Sequence, residues 1–201
     1  MQKRTKIPSR DEYRQTLTRL IEKGDFTILV AIRMGCEMGM PRIEIVNARV
    51  SDIDRFHKRG LWIEKAKKVR RGYTRDKKTG EKKPVFEMRK REIPINPGLY
   101  QLIMNYIDKS QVFILKREKG DVNKPFSERY VNTFYDMGGT SWSSHKSRHF
   151  FKNCVADWMR ENRQVDLGLI KELMGHKKNQ TEDYGGYSWD YKCSVLDKVF
   201  D

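Results

Sequence analysis

The strongest constraint on the fold is a change of period along the chain. Up to about residue 50 the apolar residues recur at helical spacing, between Leu61 and Ile95 they form strand-like runs, and from Leu99 onward helical spacing returns. Ser9-Arg10-Asp11-Glu12 is a capping box, and Tyr13, Leu17, Leu20 and Ile21 continue a helix to Gly24. A second, mostly buried helix is predicted over Phe26 to Glu37. Gly39-Met40-Pro41 breaks it, and Pro41 starts a third helix through about Arg49. Strands are predicted at 61–67 and 85–95, enclosing the basic stretch VRRGYTRDKKTGEKKP, so this region reads as one long hairpin with a positive tip. Further helices are expected around Leu99–Ile107 and from Pro125-Phe126-Ser127 onward. Another is capped by Ser143 or Ser144 and buries Phe150, Phe151, Val155 and Trp158. A short one runs from Leu167 to Met174 and ends at Gly175. The fold class is therefore mainly α with a small antiparallel β-sheet or hairpin.

Residues 1–8 read as a basic tail or linker and residues 9–201 as one domain. The segment from about 188 to 201 carries Val195, Leu196, Val199 and Phe200 at helical spacing. It is apolar enough to dock, either on its own core or on a neighbour. No apolar run approaches the ~20 residues that span a bilayer, and the N-terminus lacks a signal core, which predicts a cytoplasmic, DNA-associated protein. Cys36, Cys154 and Cys193 have no metal-site spacing and are expected to be reduced and structural. The net charge is +15, which calls for a polyanionic partner, most often nucleic acid. On the hairpin, each lysine or arginine near a phosphate would release a counterion.

The chemistry concentrates in Ser144–Tyr187. His145 and Arg148 are three residues apart and share a helix face. After an amphipathic stretch come Met174-Gly175-His176, then Tyr184 and Tyr187. Groups able to hold a phosphate and a hydroxyl able to attack one thus lie on one short piece of chain.

HKSRH, an amphipathic helix, LMGH and TEDY together resemble the boxes of the tyrosine recombinase (phage integrase) family. Upstream, GMPRIEIVNARVSDID is similar to the family's first box, an Arg and a Glu at a helix start before a Ser-Asp-Ile turn. KREIPI is similar to the second strand of its catalytic hairpin. The resemblance implies the tyrosine recombinase catalytic-domain fold, with the separate N-terminal DNA-clamping domain expected to be absent. It also implies double-stranded DNA as partner, self-association as a dimer or tetramer in a synapse, and no metal or other cofactor. The implied catalytic residues are Arg42, Lys67, His145, Arg148, His176 and Tyr184. Lys68, Lys78 and Lys90 remain alternatives for the hairpin lysine, and Tyr187 for the nucleophile. Tyr191 reads as packing, and His57 and His149 as structural or exposed.

The residue types suit the reaction. A phenol of pKa near 10 is ionised at roughly one part in a thousand at pH 7, a barrier of about 4 kcal/mol. The transition state gathers negative charge on its nonbridging oxygens, and guanidinium forks meet it with paired hydrogen bonds. His145 and His176 can take the phenol proton or donate to an oxygen, and a lysine can protonate the leaving 5′ oxygen, as the resemblance implies. The first box departs from the pattern: the family's Arg stands three residues before the Glu, whereas Arg42 stands two before Glu44 and Pro41 holds the ungapped position. Arg33 or Arg49 could substitute. Two other readings therefore stand beside a site-specific recombinase. One is a DNA-binding protein with an impaired site, and the other a type IB topoisomerase-like relaxing enzyme.

Overall fold

A computed structural model of the chain describes residues 6–64, 68–76, 79–88, 90–108, 110–117, 121–175 and 186–200, with 68–72 and 83–88 described by backbone alone. Among the described residues there are eight α-helices and four strands: α1 (Arg10–Lys23), α2 (Phe26–Glu37), α3 (Arg42–Asn47), β1 (Gly60–Ile63), β2 (Lys68–Arg75), β3 (Lys82–Met88), β4 (Arg91–Pro94), α4 (Pro97–Tyr106), α5 (Tyr130–Met137), α6 (Ser144–Glu161), α7 (Leu167–Leu173) and α8 (Trp189–Phe200). The α+β class read from the sequence is the class observed.

The capping box at α1 forms as expected. Glu12 N–H donates to Ser9 Oγ at 3.1 Å, Ser9 N–H donates to Glu12 Oε2 at 2.9 Å, and Gly24 closes the helix in the left-handed region. α2 is apolar almost all round and so lies at the centre, against α1, α3, α4, α5 and α6. Its one buried carboxylate, Glu37, is fully served. Arg33 donates to both of its oxygens at 2.7 and 2.9 Å, Asn96 donates at 2.6 Å and the Tyr13 hydroxyl at 2.5 Å. Arg33 is therefore engaged in the core and is not a substitute active-site arginine. All three cysteines are buried as free thiols, and burial pushes each of them up, which suits inert packing groups.

Several boundaries differ from the sequence reading. α3 stops at Asn47, because Arg49 pairs in an isolated bridge with Phe113. α5 starts at Tyr130 rather than near Pro125, since the Phe126 ring stacks on Tyr130 at 5.0 Å and meets Phe134 edge-on instead of entering the helix. Ser143 holds the N-cap position of α6 with no side-chain cap bond, and Ser144 Oγ turns to Asn132 Oδ1 at 3.1 Å.

The predicted strand 85–95 is two strands, and the hairpin is two nested pairs. β1 pairs with β4 antiparallel, Gly60 opposite Pro94 and Ile63 opposite Arg91. β2 pairs with β3, from Lys68 opposite Met88 to Arg75 opposite Lys82, with a register shift between Arg70 and Gly72. Much of the basic stretch taken as the connection is thus itself strand. The outer pair is fixed to the core, with Leu61, Ile63, Ile93 and Ile95 all buried.

α8 docks on its own core. Val195, Leu196 and Val199 are buried, Phe200 stacks on Phe151 at 5.9 Å, and Asp197 takes a two-pronged bond from Arg59 at 2.8 and 2.9 Å. No described helix is long and apolar enough to cross a membrane.

Candidate active site

α6 presents Ser144, Ser147 and Phe151 to the interior, which leaves His145, Arg148 and His149 at the margin of that face. Arg148 is half-buried, and its guanidinium is fixed by two main-chain carbonyls. Nη1 donates to Gly39 O at 2.6 Å and Nη2 to Met174 O at 2.5 Å. Gly39 has φ +61, and a Cβ there would stand 2.6 Å from the Phe151 ring, so only glycine lets the α2–α3 loop pass this close. Arg148 is thus a cation held in place by the fold.

A second guanidinium lies beside it, from a residue that no motif singled out. Arg91, the first residue of β4, donates from Nη1 to Leu173 O at 2.7 Å and from Nη2 to Glu44 Oε2 at 2.5 Å. Its Nε is buried and has no hydrogen-bond partner. Glu44 is buried on α3, and Arg91 is its partner. Gly175 adopts φ +64 against the Arg91 side chain, where an added Cβ would stand 2.8 Å from Cδ. The sequence did carry a signal for Arg91. It falls in phase with Ile93 and Ile95, both buried, so the strand period aims a charge at the inner face.

The local electrostatics are unbalanced. Two guanidiniums face one carboxylate, and the carbonyls of Gly39, Leu173 and Met174 supply the rest of the compensation. Burial, then repulsion from Arg91, push Arg148 down to about 10, while the attraction of Glu44 opposes this. Arg148 stays charged at neutral pH, in surroundings that would welcome an anion.

Arg42 is exposed on the first turn of α3 and makes no hydrogen bond or ion pair among the described residues. Arg49 is exposed with its guanidinium 5.7 Å above the Phe113 ring. His145 is exposed one helical turn from His149, and their Nε2 atoms are 3.1 Å apart. Burial, then the charges of His145, Lys146, Lys152 and Arg148, lower His149, which favours its neutral form as a neighbour for His145. His149 thus touches a candidate residue, and the spacing of four between two histidines on a helix was the available signal.

The Tyr187 hydroxyl donates to Asp166 Oδ1 at 2.6 Å, and Asp166 also caps α7 by accepting from Gly168 and Leu169 N–H. Burial and the Asp166 carboxylate raise Tyr187 to about 12, the opposite of an activated phenol. Tyr191 packs on it, as read from the sequence. His57 is engaged too, with Nδ1 2.7 Å from Glu92 Oε2 and its ring stacked on Trp189. Lys90 is paired with Glu64 at 2.6 Å on the surface. Lys67, Lys78, His176 and Tyr184 lie outside the described residues, as does the Lys68 side chain. Gly175, against Arg91, is the last described residue before His176. Among the described residues no group of three or more His, Cys, Asp or Glu could hold a metal ion.

No family model matches the chain, and no curated protein matches it. Solved structures do. An integrase from mycobacterium phage Brujita superposes with TM-score 0.58 at 14% identity, over 87% of this chain and 52% of its own. XerA recombinase gives 0.60 at 14% identity, over 97% of this chain and 62% of its own. A lambda integrase tetramer bound to a Holliday junction gives 0.52 at 16% identity, over 91% of this chain and 49% of its own. The chain spans about half to two thirds of the length of these structures, and at such identities the likeness shows the fold.

Proposed function

We propose that this chain, which has the catalytic-domain fold of the tyrosine recombinases, cleaves and rejoins DNA strands at specific sites through a 3′-phosphotyrosyl intermediate. The observation that carries the reading is Arg148. Its guanidinium is half-buried at the margin of α6, held in place by Gly39 O and Met174 O, and set in an excess of positive charge. Such a fork is suited to the nonbridging oxygens of a scissile phosphodiester.

In the proposed step the Tyr184 oxygen attacks phosphorus, forming the O–P bond to tyrosine as the bond from phosphorus to the 5′ oxygen breaks. The phenol proton passes to His145 or His176, and Lys67 supplies a proton to the departing 5′ oxygen. The reverse step rejoins the strand, and one ester is exchanged for another, so no ATP is consumed. Tyr184 is preferred to Tyr187 as nucleophile because Tyr187 is committed to Asp166. Arg42, the motif's other arginine, belongs to the same proposal as the sequence's choice. The +15 charge and the Holliday-junction-bound state of the lambda integrase tetramer support double-stranded DNA as partner and self-association upon it.

The exposure of Arg42 favours one second reading, a DNA-binding protein whose site is impaired in cleavage. A pool of nicked duplexes with randomised sequence separates the two. Covalent protein–DNA adducts that survive denaturant, share a common sequence and vanish in Tyr184→Phe are expected. Retention of DNA with no adduct would leave only binding, and relaxation of supercoiled plasmid without site preference would indicate a topoisomerase.

A further inference from the structure

We propose that Arg91 of β4 is the second phosphate-holding arginine of this site, in the role that the sequence motif gives to Arg42. The inference rests on the DNA-cleavage reading for the identity of its phosphate, while its geometry stands without it.

Glu44 is the residue the motif would pair with a box arginine, and it already has one. Its partner is Arg91, from a strand 47 positions further along the chain. Arg42 is exposed, and among the described residues no hydrogen bond or ion pair joins it to Glu44 or Arg148. The guanidinium missing from the box is therefore supplied from the hairpin.

A purely structural Arg91, acting only as the counterion of Glu44, leaves its position beside Arg148 unexplained. A second buried cation next to the first is unfavourable unless something negative joins them. Arg148, Arg91 and Glu44 by themselves carry one excess positive charge, which a phosphodiester of charge −1 would match, while Glu92, Glu172 and Lys192 line the cavity on the far side of Arg91. The donors are also in place. Each guanidinium has five N–H groups. Arg148 commits two nitrogens to carbonyls, and Arg91 commits one to Leu173 O and one to Glu44, leaving Nε without a partner. Held in this way, both forks are oriented before any anion arrives. Arg91 also lines a cavity of about 350 Å³ with Glu92, Glu172, Tyr187, Trp189 and Lys192, which gives Arg91 an approach from solvent on a side that Arg148 does not line. Gly175 completes the case, since a side chain there would displace Arg91. Gly175 is thus shaped around it.

The test measures binding of inorganic phosphate by calorimetry, together with adduct formation on the nicked-duplex pool. Arg91→Met combined with Glu44→Gln removes the pair together and leaves the net charge unchanged, so nonspecific attraction is preserved. Arg91→Lys is the second variant, keeping a partner for Glu44 without the fork. Circular dichroism and a thermal melt establish that each is folded. Phosphate affinity is expected to fall at least about tenfold in both, and adduct yield about 100-fold or more. Undiminished phosphate binding in a folded Arg91 variant, or no phosphate binding by the natural protein, would each overturn the proposal. Arg91-dependent phosphate binding with no DNA adduct from the natural protein would uphold Arg91 as an anion ligand and defeat the cleavage reading instead.

Discussion

Arg91 and Arg148 donate to consecutive carbonyl oxygens, those of Leu173 at 2.7 Å and Met174 at 2.5 Å. These are orphan acceptors at the end of α7, where the helix dipole is negative, so one helix terminus steadies two cations from distant parts of the chain. The arrangement fixes where both forks point and sets up four expectations.

Arg148→Lys keeps a charge but lacks the planar fork and its two-carbonyl grip. Adduct yield is expected to fall by about two to three orders of magnitude. The melting temperature should fall as well, because the carbonyl bonds are lost while the retained charge is still repelled by Arg91. A melt and an adduct assay on one preparation check both halves.

Gly175→Ala forces a Cβ into a left-handed position and against Arg91. The backbone strain alone costs about 1–2 kcal/mol, read as a shifted urea midpoint. Displacement of Arg91 should lower phosphate affinity as well, an effect that Gly24→Ala, with open space around its Cβ, would not share.

Tyr187→Phe removes the bond to Asp166 and is expected to cost about 1 kcal/mol of stability while adducts still form. Tyr184→Phe should have the reverse profile, with stability kept and adducts lost. If instead Tyr187→Phe alone abolishes the adduct, the nucleophile has been assigned to the wrong tyrosine.

His149 has a lowered pKa in the folded state, so below the ordinary value of 6.5 the unfolded chain binds the extra proton more readily. This favours unfolding as pH falls, and the penalty fades as pH rises past 6.5. The gain in melting temperature between about pH 5 and pH 7.5 should therefore be smaller in His149→Gln than in the natural protein. Thermal melts at several pH values settle the sign.

How much could be read in advance depended on how local the determining physics was. α1 and α2 matched their predicted limits because a capping box, Gly24 and an all-round apolar run are written in adjacent residues. The start of α5 was misread because ring stacking between Phe126 and Tyr130 decides it, and the strand break before Arg91 because pairing with β1 does. The same holds at the site. Arg148 stands out as a candidate in a short motif, whereas Arg91 gains its meaning from Glu44, Leu173 and Gly175, three segments that only the fold brings together. Arg33, weighed as a substitute, turned out to belong to the Glu37 network in the core.

The nested hairpin has a mechanical consequence. The outer pair is anchored on the core and ends where Ile63 faces Arg91, and the inner pair begins beyond it. Arg91 therefore sits at the fulcrum between a fixed base and a projecting arm. A load applied to the arm, as when its basic strands meet a DNA backbone, is delivered first to the residue whose fork is bolted to Glu44 and Leu173. Grip at the far end of the ribbon and the aim of the guanidinium are thus geared together, and shortening the arm should loosen the site as well as the hold.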